Sequence, residues 1–356
     1  MPVCFFAMVS NISLEMLIGY ALMKIAFELS GEHATLPRAE VIACLESLNI
    51  DFREVAFMDQ LLIVDVQDVP PIAKHLAMTH HILEVIFICP ANIKSILRLV
   101  SNADLSIEDR TFCIRAKHIR GADLSSTALE KETGAIVHKK GYRVDLDNPD
   151  VMFHLVLTED QCVFGRLIES VDRGQYELRK PKQRPFFHPG VLLPRLAHAL
   201  VNISSVSDGI LLDPFCGTGG ILIEAALTGA QCVGMDVQQK MVLGTSLNLK
   251  YYDIGGLLII GDACATPLRS EKVDAVVTDL PYGRSALIQA RSLEHLYRCS
   301  LSEIYRVLKK NKKAVIVSQM PLDKLAEEVG FIVKESYQER VHRSLTRQII
   351  VLQKQK

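Results

Sequence analysis

Apolar and polar positions follow two periods along this chain and predict alternating strands and helices. Short apolar runs bounded by turn residues predict strands in the N-terminal part, at residues 23–30, 52–56, 61–66 and 82–89. Thr35 stands as a helix N-cap before Val41, Ile42, Leu45 and Leu48, which share one helical face. A second helix is expected to begin after Pro71 and to end near residue 78.

The C-terminal half repeats a strand-and-helix unit. An amphipathic helix is predicted at 192–202, and apolar strands follow at 209–212, 231–234, 257–260 and 272–279. Strands that alternate with helices are typical of a doubly wound, mostly parallel sheet. The predicted fold class is therefore α/β.

Composition fits a globular protein with more than one domain. The chain has 356 residues, of which 49% are hydrophobic, and this length suggests two or three domains. Its nine cysteines contain no C-x-x-C pair, which argues against a disulfide framework and a zinc knuckle. No apolar run reaches the length of a membrane span, so we expect a soluble, cytosolic protein. Residues 1–22 are expected to be an N-terminal extension or a mis-assigned start, because they lack the basic region of a secretory signal.

Charge is segregated along the sequence although the net charge is only -1. Residues 31–84 contain nine acids and three bases, whereas residues 111–143 contain seven bases and three acids. A basic face of this kind is either ordinary solvated surface or a nucleic-acid footprint. A second basic stretch at 173–184, interrupted by Gly and Pro, predicts an irregular linker. We therefore expect an N-terminal region at 23–162, a basic linker at 163–187 and a second domain at 188–356.

The strongest motif is the glycine loop that follows the strand at 209–212. Gly217 and Gly219 remove side chains that would block a ligand from the loop backbone, and the following helix offers unpaired N–H groups. A dinucleotide fold would require a third glycine where Leu222 stands, and no Gly-Lys-Ser/Thr follows for a P-loop. The loop thus favours a nucleotide-like ligand other than NAD or ATP.

Acidic residues end the next strands. Asp236 lies about 20 residues beyond Gly217, where an acid can accept both hydroxyls of a ribose. Asp262 follows the third strand, and its carboxylate could accept from an adenine amine or cap the next turn. Asp213 and Phe215 stand at the end of the first strand and are assigned to the same cofactor site.

The fourth strand ends in Asp279-Leu280-Pro281-Tyr282. This motif resembles that of the class I S-adenosylmethionine-dependent methyltransferases that act on exocyclic amines, which read Asp/Asn-Pro-Pro-Tyr/Phe. An exocyclic amine is a poor nucleophile, and Asp279 together with the Leu280 carbonyl could accept its two hydrogens. Pro281 would stiffen the loop, and the ring of Tyr282 could support a base outside its stack. Leu280 departs from the family, but a backbone carbonyl does not require a proline side chain.

A closer resemblance extends from Met23 onward. The segments 27–33, 36–40, 144–150, 184–190 and 342–347 are similar to those of the archaeal tRNA guanosine-10 N2-methyltransferases. The resemblance implies a THUMP-type RNA-binding region, a Rossmann-like methyltransferase domain, S-adenosylmethionine as cofactor, and one or two methyl groups added to N2 of guanosine 10 in tRNA. The resemblance also implies that the basic segment 111–143 belongs to the THUMP-type RNA-binding region. The expected RNA-binding residues are Lys117, Arg120, Lys139, Lys140, Arg143, Arg179, Lys180, Lys182, Arg184 and Arg343.

The sequence is compatible with other substrates and with a different class of function. The Asp279 motif indicates that the substrate group is an amine but does not indicate which nucleotide carries it, so another guanine in tRNA or ribosomal RNA is an alternative substrate. A non-catalytic RNA-binding protein is an alternative of a different class. The N-terminal region argues against a DNA amino-methyltransferase. We expect no metal, because the pair His80-His81 has no third ligand at a fitting distance. His188 could contact cofactor or pack against a helix. We expect a monomer without membrane partners.

Overall fold

The computed structural model describes residues 22–107, 109–121, 124–282, 293–343 and 345–355. The elements of the N-terminal half are β1 (Met23–Leu29), α1 (Leu36–Ser47), β2 (Phe52–Met58), β3 (Leu61–Val66), β4 (Thr79–Pro90), α2 (Ile93–Asn102), β5 (Thr111–His118), α3 (Ser126–Lys139), β6 (Arg143–Val144), β7 (Val151–Leu157) and β8 (Gln161–Ser170). Those of the C-terminal half are α4 (Pro194–Ile203), β9 (Ile210–Asp213), α5 (Gly220–Leu227), β10 (Gln231–Asp236), α6 (Gln239–Tyr251), β11 (Leu257–Ile260), β12 (Val273–Asp279), α7 (Leu293–Val307), β13 (Leu308–Ser318), α8 (Asp323–Val329), β14 (Phe331–His342) and β15 (Leu345–Lys354).

Two separate sheets organise these elements. The first has the strand order β2-β3-β1-β4-β8-β7-β5-β6, in which β5 pairs in parallel with β6 and β7. The second has the order β11-β10-β9-β12-β13-β15-β14. In it β9 to β13 are parallel, and β14 and β15 are added antiparallel. The prediction of a doubly wound α/β domain with a mostly parallel sheet is confirmed.

The central strands β9 and β12 of the second sheet are buried on both faces, whereas the edge strands β11 and β14 are partly exposed. Successive side chains on a strand point to opposite faces, and Leu211 and Leu212 accordingly join two different hydrophobic clusters. The first cluster contains α4 and α5, and the second contains α7 and α8. Burial on both faces explains why these strands are continuous apolar runs without alternation.

The C-terminal unit is built from three separate segments of the chain. Among the described residues, one unit comprises 22–28, 50–71 and 81–169, and the other comprises 29–49, 72–80 and those from 170 onward. Helix α1 belongs to the second unit because Leu36 and Ala39 share a core with Leu200 of α4. Asn202 also donates a hydrogen bond to Glu40 Oε1 at 2.9 Å. These units differ from the continuous ranges 23–162 and 188–356, because a hydrophobic core can join segments that are remote in sequence.

Local details correct three predictions. Thr35 precedes α1 but its side chain caps nothing; Nδ1 of His33 instead accepts the N–H groups of Thr35 and Leu36. The helix expected after Pro71 is only a 3-10 turn, Ala73–His75. The reason is that the carboxylate of Glu40 takes the N–H groups of Ala77 and Met78 that a helix would require. The linker contains two short 3-10 helices, Gly174–Arg179 and Pro181–Gln183, where irregular chain was expected.

Within the described ranges, no helix combines the length and the apolar content that crossing a bilayer requires. Residues 1–21 lie outside the described part of the chain.

Candidate active site

The strand order reverses between β9 and β12, which places the carboxyl ends of two central strands side by side. Ligands of open α/β sheets bind in the crevice at such a switch point. A cavity of about 530 Å³ opens there and is lined by residues from 188–192, 213–218, 236–238, 261–264 and 279–282. The glycine loop and the Asp279 motif, which are remote in sequence, therefore line one cavity.

The glycine loop depends on two backbone conformations that favour glycine. Gly217 has φ +52° and Gly219 has φ +78°, and Gly219 is the N-cap of α5. A Cβ atom on Gly219 would lie 2.8 Å from Cγ2 of Thr245 on α6. The Thr245 hydroxyl also donates to the Gly217 carbonyl at 2.7 Å. Thr245 thus supports the loop from behind.

Asp236 ends β10 on the cavity wall. Its Oδ2 accepts the N–H of Gly217 at 3.1 Å and its Oδ1 accepts the N–H of Gln238 at 2.9 Å. Each carboxylate oxygen can accept two hydrogen bonds, so capacity for ribose hydroxyls remains. Burial raises the pKa of Asp236.

Asp213 is 1% exposed beneath the same loop. It accepts hydrogen bonds from the Thr278 hydroxyl at 2.7 Å and from the N–H of Phe215 at 3.2 Å. Burial, with a smaller contribution from the nearby carboxylates of Asp279 and Asp236, raises the pKa of Asp213 to about 7, although its hydrogen bonds from Thr278 and Phe215 oppose this shift. Asp213 therefore shapes the loop from within, while Phe215 lines the cavity.

Asp262 follows β11 and lines the cavity. Its Oδ1 accepts the N–H of Cys264 at 2.9 Å, so it caps the turn, which was one of its two predicted roles. Cys264 forms a disulfide with Cys299 of α7, with Cα atoms 4.9 Å apart. The absence of a C-x-x-C motif gave no indication of this cross-link, because its partners are 35 residues apart.

The Asp279 motif forms a hydrogen-bonded chain at the end of β12. The Tyr282 hydroxyl donates to Asp279 Oδ1 at 2.7 Å and lies 3.3 Å from Nε of Arg347, which donates to it. Arg347 also forms an ion pair with Glu339 at 3.1 Å. Burial raises the pKa of Asp279 to about 6, although Tyr282 and Arg347 oppose this shift. Asp279 is thus mostly ionised near neutral pH, and among the described residues its other oxygen, Oδ2, accepts no hydrogen bond.

Backbone contacts hold the rest of the motif. The N–H of Leu280 donates to the Val317 carbonyl at 2.9 Å. The Tyr297 hydroxyl of α7 donates to the Pro281 carbonyl, also at 2.9 Å. The two bonds attach the loop to β13 on one side and to α7 on the other. Residues 283–292, which follow directly, lie outside the described part.

Two predicted RNA-binding residues are buried, which corrects that assignment. Arg179 forms a bidentate ion pair with Glu224, with both N–O distances 3.0 Å. Arg184 is 5% exposed and donates through Nε to the Arg179 carbonyl at 3.0 Å. Arg179 is 8% exposed, so both guanidinium groups are withdrawn from the surface where a phosphate would bind. Arg179 thus attaches the segment before α4 to α5 through Glu224, and Arg184 supports the backbone of Arg179.

The other predicted RNA-binding residues remain at the surface. Lys139, Lys140, Arg143, Lys182 and Arg343 are exposed. The remaining three have acidic partners: Arg120 lies 3.8 Å from Asp59, Lys180 pairs with Glu177, and Lys117 pairs with the buried Glu28.

Several supporting residues had no recognisable motif. Thr278 directly precedes Asp279, and Thr245 and Asn248 are three residues apart on α6. Asn248 donates to the carbonyls of Thr218 and Phe186 at 2.8 and 2.9 Å. The spacing of Thr245 and Asn248 on one helical face was the only available signal. His188 lines the cavity.

Comparisons with known proteins match both halves. A family model described as "RMKL-like, methyltransferase domain" matches residues 181–349, and the THUMP domain model matches residues 91–165. A tRNA (guanine(10)-N2)-dimethyltransferase of Methanothermobacter thermautotrophicus is 36% identical over 339 residues, covering 93% of this chain and 100% of the relative. One from Methanocaldococcus jannaschii is 31% identical over 93% of this chain and 99% of its own length.

A solved structure shows the same fold. TrmN from Thermus thermophilus superimposes with a TM-score of 0.56 at 18% identity, covering 93% of this chain and 99% of that one. The predicted arrangement of a THUMP-type region before a Rossmann-like methyltransferase domain is confirmed.

Proposed function

The chain belongs to the family of tRNA (guanine(10)-N2)-dimethyltransferases, and on this premise we propose that it transfers methyl groups from S-adenosylmethionine to the exocyclic N2 of guanosine 10 in tRNA. One methyl group or two can be added, and the name of the relatives supports two. The observation that carries the proposal is the buried, ionisable carboxylate of Asp279, hydrogen-bonded by Tyr282 beside the glycine-loop cavity.

The cavity suits the proposed cofactor. Its volume of about 530 Å³ lies within the range of small-molecule sites. The positive φ angles of Gly217 and Gly219 leave the loop backbone open to a ligand. Asp236 retains lone pairs for the hydroxyls of a ribose, and Asp262 retains one carboxylate oxygen beyond the bond that caps its turn. When bound, S-adenosylmethionine supplies the methyl group.

Asp279 is proposed to prepare the substrate amine. Its Oδ1 is held by the Tyr282 hydroxyl, so Oδ2 can accept one hydrogen of N2. The Leu280 carbonyl would accept the second hydrogen, and the amine would then direct its lone pair at the methyl group. A carboxylate with a pKa of about 6 is ionised at neutral pH and can also take up the proton that N2 loses.

Methyl transfer to defined transcripts tests the reaction and its address together. Labelled cofactor is incubated with an unmodified tRNA transcript and with a matched transcript whose guanine 10 is replaced, followed by nucleoside analysis. We expect N2-methylguanosine and N2,N2-dimethylguanosine only from the first transcript. If label is still incorporated after the replacement, the protein is a methyltransferase but its substrate is a guanine other than guanine 10. No transfer despite cofactor binding would contradict catalysis on tRNA and favour a non-catalytic RNA-binding protein.

A further inference from the structure

Three side chains with metal-ligating atoms converge in the first sheet, far from the cavity in sequence. Glu28 lies on β1, His81 on β4 and His154 on β7. One carboxylate oxygen and one ring nitrogen from each histidine lie within 4.8 Å of one another. The expectation that His81 lacks further ligands at a fitting distance is therefore wrong. The sequence could not indicate this cluster, because its members come from strands separated by 53 and 73 positions.

The sheet leaves room for the two histidines to meet. Neighbouring strands are about 4.8 Å apart, and β8 lies between β4 and β7. Gly165 of β8 is directly opposite His154. Opposed residues face the same side of a sheet, and glycine places no side chain there. The rings of His81 and His154 accordingly approach to 4.7 Å between centroids.

One atom of the cluster has no hydrogen-bond partner among the residues that the structure describes. Glu28 is 1% exposed and His154 is 6% exposed. Lys117 binds Oε1 of Glu28. Among the described residues, Oε2 makes no hydrogen bond, and it faces Nδ1 of His154 at 3.5 Å. A buried polar atom without a partner is costly and requires an explanation, of which a bound ion is one.

We propose that Glu28, His81 and His154 bind a divalent transition-metal ion of the zinc type. Two imidazole nitrogens and one carboxylate oxygen form a set that Zn²⁺ accepts, with the fourth position left for water on the half-buried side of His81. Zinc bond lengths bring such ligand atoms to about 3.4 Å from one another, so the cluster must contract by roughly 1 Å. The ion would cross-link β1, β4 and β7.

Lys117 provides a diagnostic for this site. Its ammonium group contacts Oε1 of Glu28, the oxygen that is not the proposed ligand, and its positive charge repels the metal ion. Lys117→Met keeps most of the side-chain volume and removes that charge. It should therefore tighten metal binding by about tenfold. A purely structural network of Glu28, Lys117 and the histidines would instead lose stability with no gain in metal affinity.

The test uses the full chain, stripped of metal with a chelator and kept under reducing conditions. Co²⁺ is titrated by its visible spectrum, and Zn²⁺ by competition with a chromophoric chelator. We expect one ion per chain. His81→Ala should weaken binding by at least about tenfold. His138→Ala, which removes an exposed histidine of α3 in the same unit, should leave the affinity unchanged.

The outcomes separate clearly. A cobalt spectrum of nitrogen and oxygen ligands, lost in His81→Ala and strengthened in Lys117→Met, would support the site. Absence of binding by the wild-type chain, equal affinity in His81→Ala, or a thiolate-to-cobalt band that assigns the ion to cysteines would each overturn it. Because His81 is only half buried, its variant is expected to fold, and the wild-type titration decides the question without any variant.

Discussion

The chemistry proposed for individual residues depends mainly on burial. Asp279 and Asp213 are both aspartates at strand ends, and burial raises the pKa of the first to about 6 and of the second to about 7. Asp213 is enclosed with two donors of its own, whereas Asp279 borders the cavity and its Oδ2 accepts no hydrogen bond from any described residue. The same residue type therefore shapes a loop at one position and can act on a substrate at the other.

The pH dependence of methyl transfer should report Asp279. The carboxyl is protonated below its pKa of about 6 and then cannot accept a hydrogen from N2. The single-turnover rate should fall about tenfold per pH unit below this value and level off above it. Asp279→Asn should lower the rate by about 100-fold or more and remove the acidic limb, since its amide offers hydrogens to the substrate amine. Unchanged tRNA affinity serves as the control, and a variant with full activity would refute the mechanism.

Arg179 should contribute to stability and not to RNA binding. Arg179→Met leaves the fully buried Glu224 without its bidentate partner. We expect the free energy of unfolding to drop by about 3 to 5 kcal/mol in urea titrations. Lys182→Met, three positions away and exposed, removes the same charge and should change stability by less than about 0.5 kcal/mol. Equal stability of the two variants would restore Arg179 as a candidate for RNA.

Among the elements, the turn from β9 into α5 imposes the strictest requirement on sequence. Gly219 caps α5 in a left-handed conformation while α6 packs directly behind it through Thr245. Three elements thus meet at the point where the proposed cofactor would lie. The helix start of α1 is handled differently, since His33 takes the role of the absent side-chain cap.

Gly219→Ala should damage this turn. The left-handed conformation costs a residue with a Cβ about 1 to 2 kcal/mol, and contact with Thr245 adds to that cost. We expect weaker cofactor binding by calorimetry and a lower melting temperature. The matched variant Gly134→Ala lies inside α3, where nothing within 4 Å would meet the new methyl group. It should gain roughly 0.5 to 1 kcal/mol instead. Cofactor affinity that survives Gly219→Ala would argue against ligand binding on this loop.

At the level of the whole molecule, the units and the distribution of charge matter most. The THUMP match at 91–165 includes the exposed bases Lys139, Lys140 and Arg143, which follow one another at the end of α3 and in β6. Long-range attraction to phosphate needs such exposed charges and gains little from buried ones. The N-terminal basic segment is accordingly the better candidate for tRNA binding than the linker.

Reversal of Lys139, Lys140 and Arg143 to glutamate should weaken tRNA binding. Each lost phosphate contact should reduce the slope of log affinity against log salt by about 1. Cofactor affinity should not change. Reversal of Lys272, Lys310 and Lys312, which are exposed bases of the second unit, changes the net charge equally and serves as the control. Equal losses in both triple variants would indicate a general effect of net charge and would move the footprint elsewhere.

Sequence alone was sufficient wherever neighbouring residues carry the information. Continuous apolar runs predicted the parallel strands, and Gly217, Gly219 and the Asp279 motif marked the loops that line one cavity, because backbone conformation and strand ends are local properties. Their meeting at one edge also followed from the sequence, since carboxyl ends of parallel strands lie together.

Tertiary structure alone decided the features that depend on distant partners. Burial separated Arg179 and Arg184 from the exposed lysines of the same segment, although all are equally basic in sequence. Packing assigned α1 to the C-terminal unit, and the carboxylate of Glu40 replaced a predicted helix with a short turn. Glu28, His81 and His154 met across an eight-stranded sheet. Burial and strand order bring these residues together, and neither can be predicted from the spacing of residues that are neighbours in sequence.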